Sequence, residues 1–223
     1  MSRRSTSPWR TPAMLLALSF IPAVAGASRI AGFASGVGAP EDARFITAPT
    51  PIVIHGVSAT LYAVLGAFQF SRELRARLGA WHRRLGRVLA ACGLLTAATG
   101  LWMAQRYDIP RAQQGPLLYG ARMAVGAAMA WAIIAGWRAA VRRDIAKHEA
   151  WMIRAYALAQ GAGTQAALMG PWTLIVGAVS GTTRDVLMTL SWVINVAVAE
   201  WLIRRDTAVE RVTPRAVPQA LHA

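Results

Sequence analysis

Residues 71–105 read SRELRARLGAWHRRLGRVLAACGLLTAATGLWMAQ. The first half carries six arginines (Arg72, Arg75, Arg77, Arg83, Arg84 and Arg87), and positions 88–105 carry no charge at all. An uncharged apolar run of about 20 residues is what a helix needs to cross roughly 30 Å of hydrocarbon. A basic block at one end of such a run is the signature of the positive-inside rule. Working outward, the same arrangement recurs. Arg3, Arg4 and Arg10 precede the first apolar run. Arg138, Arg142, Arg143, Lys147 and Arg154 flank the fifth, and Arg204, Arg205, Arg211 and Arg215 follow the last. These four blocks hold 18 of the 24 basic residues. The intervening gaps hold only Arg44, Arg106, Arg111 and Arg184, while Arg29 and Arg122 lie inside apolar runs.

The expected fold is therefore all-α: a polytopic membrane bundle of six transmembrane helices, with both termini cytoplasmic. The spans fall at about 13–34, 52–70, 87–105, 117–137, 155–177 and 186–203. Pro49 and Pro51, Pro116 and Gly181 punctuate the starts of the second, fourth and sixth. Residues 1–12 form a basic cytoplasmic segment, 13–205 the membrane domain, and 206–223 a disordered cytoplasmic tail with Pro214, Pro218 and an incidental His222. Arg3-Arg4, the apolar core from Met14 to Val24 and Ala25-Gly26-Ala27 resemble a cleavable secretory signal. The apolar character continues through Ile30 to Val37, which favours an uncleaved first span.

A net charge of +14 would point a soluble chain toward nucleic acid. Here 55% of residues are hydrophobic and mean hydropathy is +0.37, more than a soluble basic domain could bury. Nucleic acid is accordingly not expected as a partner. The partners are the lipid bilayer, anionic headgroups touching the basic blocks at the cytoplasmic face, and a second copy of the chain if the bundle forms a homo-oligomer. The single Cys92 reads as a small packing residue.

Polar groups inside a bilayer are costly and so mark candidate sites. In the second span His55, Ser58, Tyr62, Gly66 and Gln69 share one helical face, opposite Val53, Val57, Leu61, Val64 and Phe68, so that face should point inward. Gly86, Gly93 and Gly100, with Thr96, form a small-residue stripe suited to helix contact. Arg29 lies roughly 22 Å past the inner edge of its span, at 1.5 Å per residue. Arg122 lies just below the outer edge of the fourth span. No acidic residue is expected at that depth, the nearest being Glu41, Asp42, Asp108 and Asp185 in the outer loops. Arg29, Arg122, His55 and Tyr62 thus form an outer-half candidate site for an anionic ligand, unless the arginines snorkel to lipid phosphates. On the inner side, His82 opens a phrase ending in Arg87, and His148 one ending in Arg154. These four are the inner-face candidates for holding a cofactor. Glu200 is expected to pair with Arg204 four residues on. Asn195, Gln160 and Gln165 are expected to bond between helices.

Certain phrases also resemble a known family. They are Ile54-His55-Gly56, Leu65-Gly66-Ala67-Phe68-Gln69-Phe70, His82-Arg83 with Gly86-Arg87-Val88, and His148 with Trp151-Met152-Ile153-Arg154. Together with Arg142-Arg143-Asp144 they are similar to the bacterial membrane-protein family called domain of unknown function 2306, over roughly residues 45–165. The resemblance implies a multipass membrane protein and supplies no activity; the expected location is the bacterial inner membrane. The family's arginine in the fifth span has no counterpart at Gly163-Thr164-Gln165-Ala166.

Three functions compete at this stage. The leading one is a non-catalytic assembly or regulatory component, with His82 and His148 at the lipid interface beside Trp81 and Trp151. A small-solute carrier lined by the second span's polar face is next, although no broken helix pair is apparent. A haem-binding or quinone-linked redox protein would use His82 and His148 as the ligands of one haem b, with arginines on its propionates. His55 has no histidine partner on its own side. No nucleophile elbow, phosphate loop, cysteine cluster or His-Glu-x-x-His phrase occurs, and no metal site is expected.

Overall fold

The computed structural model describes residues 9–35, 45 and 47–212. Every regular element among them is helical: α1 (Arg10–Ser35), α2 (Pro49–Gly66), α3 (Arg72–Arg77), α4 (Gly79–Arg106), α5 (Pro116–Val141), α6 (Ile145–Ala159), α7 (Gly161–Ile175) and α8 (Gly181–Val212). A short 3₁₀ turn, Ala67–Phe70, continues α2 toward α3. Five of these helices, α1, α2, α4, α5 and α8, are long and apolar enough to cross a membrane. The residues expected as a tail from 213 onward lie outside the described residues, and α8 itself runs on to Val212.

The fifth stretch departs from expectation. Instead of one span over 155–177 the chain makes two 15-residue helices, α6 and α7, meeting at Gln160. Each is only about 22 Å long at 1.5 Å per residue, short of the hydrocarbon thickness. The break follows from composition. Gly161, Gly163 and Gly170 weaken helix continuity, and Ser19 of α1 donates to the Gln160 side-chain oxygen at 3.0 Å, which pins the joint. A discontinuous helix is therefore present where none was apparent from sequence.

The polar face of α2 turns inward as its spacing requires. Its buried residues are Ser58, Tyr62 and Gly66, while Ile54, Val57 and Leu61 are exposed. The glycine stripe of α4 receives it. A Cβ on Gly93 would stand 2.8 Å from the Tyr62 ring and 2.6 Å from Ile133, and one on Gly100 would stand 3.3 Å from the His55 ring. At Gly93 a hydrogen is what lets the helices approach so closely, while at Gly100 a Cβ would require the His55 ring to give by a few tenths of an ångström. Cys92 is buried in this core, as its packing role requires.

Two loops position the rest. Between α5 and α6 the chain turns within three residues, Arg143 adopting φ +59° and donating its N–H to Ala140 at 3.0 Å. This left-handed conformation costs a non-glycine residue roughly 1 kcal/mol, and it folds α6 straight back along α5. Asp144 caps α6 through the Lys147 N–H. Hydrogen bonds from Lys147 hold the exposed Asp144 carboxyl below the usual carboxylate range. At the opposite end of the bundle, the buried Asp185 of α8 accepts from the N–H groups of Gly115 (2.9 Å) and Leu118 (3.2 Å), capping α5 from another helix. Asp185→Ala is expected to cost about 2 kcal/mol, because it strands two N–H groups at a positive helix terminus. Thermal unfolding in detergent measures this, and an unchanged midpoint would rule the cap out as a stabilising element.

Candidate functional site

Among the described residues a cavity opens toward each end of the bundle, with the Tyr62–Tyr156 contact (ring centroids 5.8 Å) standing in the core between the two. The cavity at the arginine-rich end has a volume of about 460 Å³. The tight α5–α6 turn creates one wall. It lays the first turn of α6 against α5, so His148 Nδ1 donates to the Gly136 carbonyl at 2.9 Å. A carbonyl can only accept, so Nδ1 carries the proton and the neutral ring keeps its lone pair on Nε2. His82, in the first turns of α4, lines the same cavity, close enough to His148 to feel its charge. Arg83 and Arg87 also line it, while Arg75 and Glu149 bridge at 3.4 Å across its wall. The remaining surface is chiefly Tyr62, Phe70, Leu89, Ile133, Met152 and Tyr156. The buried Gln69 Nε2 has no hydrogen-bond partner among the described residues.

The cavity at the other end is larger, about 750 Å³. His55 stands on its wall with Nδ1 3.1 Å from both the Thr96 carbonyl and the Thr99 hydroxyl, so the same tautomer is fixed here. Ser58 and Thr96 extend this polar seam through a 2.9 Å hydroxyl contact. Arg29, Arg122 and Arg184 join His55 on the wall. Arg122 bonds to the Gln114 side-chain oxygen, Arg184 donates to the Gln113 carbonyl at 3.2 Å, and Arg29 sits 5.6 Å over the Phe45 ring.

Of the inner-face candidates, His82, His148 and Arg87 come together and Arg154 does not. Arg154 stacks on Trp151 and forms a fork with Glu200, Nε to Oε1 at 2.5 Å and Nη2 to Oε2 at 3.0 Å. Glu200 therefore pairs across helices with Arg154 instead of along its own helix with Arg204. Of the outer-half candidates, Arg29, His55 and Arg122 share a cavity, whereas Tyr62 belongs to the other one. Sequence reasoning missed Arg75, Arg83 and Arg184. Arg184 stands four and eight residues before Met188 and Trp192, a helical spacing that puts all three on one face, and all three line the larger cavity. Of the outer acids, Glu41 and Asp42 lie outside the described residues, and Asp185 serves as a cap. Gln165 and Asn195 do bond between helices, to the Met188 and Ala157 carbonyls. Among the described residues no cluster of three or more histidine, cysteine or acidic groups could hold a bare metal ion.

The family described as predicted membrane protein (DUF2306) matches residues 52–203, which take in nearly all of α2 through most of α8, the whole lining of the smaller cavity and most of that of the larger. The chain belongs to the DUF2306 family. No curated protein and no solved structure matches it. The DUF2306 match begins after α1, so Arg29 alone among the candidate residues lies outside it, while His55, His82, His148 and Arg122 lie within. It also reaches further toward the C-terminus than the phrases that carry the resemblance.

Proposed function

We propose that this DUF2306 protein is a membrane redox component that holds one haem b in the cavity at its arginine-rich end, between His82 and His148. The observation that carries the reading is the meeting of these two histidines, from different helices, in one mainly apolar cavity, with His148 fixed so that Nε2 is its available nitrogen. The donor set fits the group: two imidazoles for the iron, and Arg83 and Arg87 for acidic side groups, with Glu149 already occupied by Arg75. Its volume lies within the range of about 300–1,000 Å³ common for cofactor sites. Bound there, the iron would supply one-electron transfer. The chain's own part is to hold and orient. The Gly136 carbonyl fixes the orientation of the His148 ring. Leu89, Ile133, Met152 and Tyr156 keep water from the site, which with the nearby arginines sets the potential. By the positive-inside rule this end faces the cytoplasm of a bacterial inner membrane. From sequence alone an assembly or regulatory role leads; the shared cavity is what favours the redox reading over it.

The protein, purified in neutral detergent from cells supplied with haem precursor, is expected to show a Soret band with resolved bands on dithionite reduction. His82→Ala and His148→Ala should each remove that spectrum while the protein still elutes as a single folded species, and His55→Ala should keep it. A folded wild-type protein that stays colourless, and gains no such spectrum on titration with haem, would refute the reading.

A further inference from the structure

We infer that the larger cavity, at the His55 end, binds an uncharged ring hydroxyl carried on an apolar body, the chemistry of a phenol or hydroquinone, with His55 Nε2 accepting its hydrogen bond. The residues concerned lie at the other end of the bundle from the proposed haem, and the site is independent of it. Two neighbours flank His55 Nδ1. The Thr96 carbonyl can only accept, and the Thr99 hydroxyl already donates to the Leu95 carbonyl at 2.6 Å, so it too offers His55 a lone pair. Nδ1 therefore carries the proton, and Nε2 of the neutral ring keeps its lone pair. Nε2 makes no hydrogen bond among the described residues, although His55 stands on the cavity wall. An unpaired acceptor beside an apolar space calls for a donor, and an O–H supplies one without bringing a charge into the membrane. Several other polar groups of the wall are already engaged: Arg122 with Gln114, Arg184 with the Gln113 carbonyl, Tyr107 with the Ala48 carbonyl and Gln165 with the Met188 carbonyl. The anchor therefore falls to His55, and the arginines are not required to meet a charge.

The rest of the wall defines the body of the ligand. The volume of about 750 Å³ is that of a small-molecule site, commonly about 300–1,000 Å³, and leaves room for an apolar tail. Met103, Met129, Met188 and Trp192 line it. Thioether sulfurs sit favourably at the edge of an aromatic ring, and an indole packs well against one. These neighbours favour an aromatic body over a saturated one. A membrane quinol and a free alkylphenol share that chemistry.

The test uses the full chain in neutral detergent, with para-hexylphenol as probe and para-hexylanisole, its methyl ether, as the control that lacks the O–H. Thermal unfolding at rising probe concentration reads the affinity. The phenol is expected to raise the midpoint in a saturable way, and the ether to bind about tenfold more weakly, as the loss of one hydrogen bond requires. His55→Asn keeps a side-chain N–H near the Nδ1 position for Thr96 but removes Nε2, so it should bring the phenol's affinity down to the ether's. Ala59 lines the same cavity one turn along α2 from His55. Ala59→Leu narrows the space without touching the hydrogen bond and should weaken phenol and ether alike, which keeps the test decisive if His55→Asn misfolds. Equal affinities of phenol and ether for the wild type, an undiminished preference for the phenol in His55→Asn, or full binding in Ala59→Leu would each overturn the inference. Mass spectrometry of organic extracts of the purified protein separates the two sources. A quinone or quinol retained by the wild type and lost from Ala59→Leu assigns a membrane quinol, and probe binding with none retained assigns a free phenol.

Discussion

Gly163→Ala is expected to destabilise the protein by about 3 kcal/mol. The new Cβ would collide with the Leu18 carbonyl oxygen of α1 and lie 2.7 Å from Leu18 Cγ. A side chain can rotate away from such a contact, but a carbonyl inside a helix cannot, so α1 and α7 must separate. That movement would also strain the Ser19–Gln160 bond three residues away on α7's side of the break. The control is Gly170→Ala on the same helix. A Cβ there meets nothing within 4 Å, and removing a helical glycine is neutral or mildly favourable. Unfolding in detergent compares the two, and equal midpoints would mean that α1 and α7 are not in close contact.

Arg154→Met is expected to cost about 2 kcal/mol, since it takes both charged hydrogen bonds from the part-buried Glu200 carboxylate and leaves it only the nearby Arg204 charge. About 30% of each side chain remains exposed, which keeps the figure below that of a fully buried pair. Glu200→Gln should cost less, because the amide oxygen still accepts from the guanidinium. The double change Arg154→Met, Glu200→Met should recover much of the loss, since neither partner is then stranded. Additive losses in that double-mutant cycle would show that the fork contributes nothing beyond its separate side chains.

The arginine blocks and apolar runs make the helical membrane fold legible, because positive-inside bias and span length are properties of short stretches. The inward face of α2 is legible for a similar reason: residues three and four apart on a helix share a side whatever surrounds it. Burial of Ser58, Tyr62 and Gly66 follows directly. The Arg154–Glu200 fork is not legible, because helical spacing offers Arg204 as a partner and only the packing of α6 against α8 offers Arg154. The fixed tautomer of His148 is hidden for another reason. It depends on Arg143 taking a left-handed conformation that residue type alone would not select. Tyr62 carries a different lesson. It sits on the same stripe as His55, but seven residues along a helix is roughly 10 Å, enough to pass from one cavity to the other.

The division at Gln160 bears on how the chain is made. A nascent segment released sideways into lipid must partition on its own merits, and neither half of 145–175 has the length to do so. Gly161 packs against the Trp192 indole, and Thr164 bonds to Asn195 at 2.7 Å, both partners lying on the helix synthesised next. The stretch therefore depends on a later segment for its place. Truncation before α8 should leave it unsettled in the bilayer, open to the cell's membrane quality-control proteases.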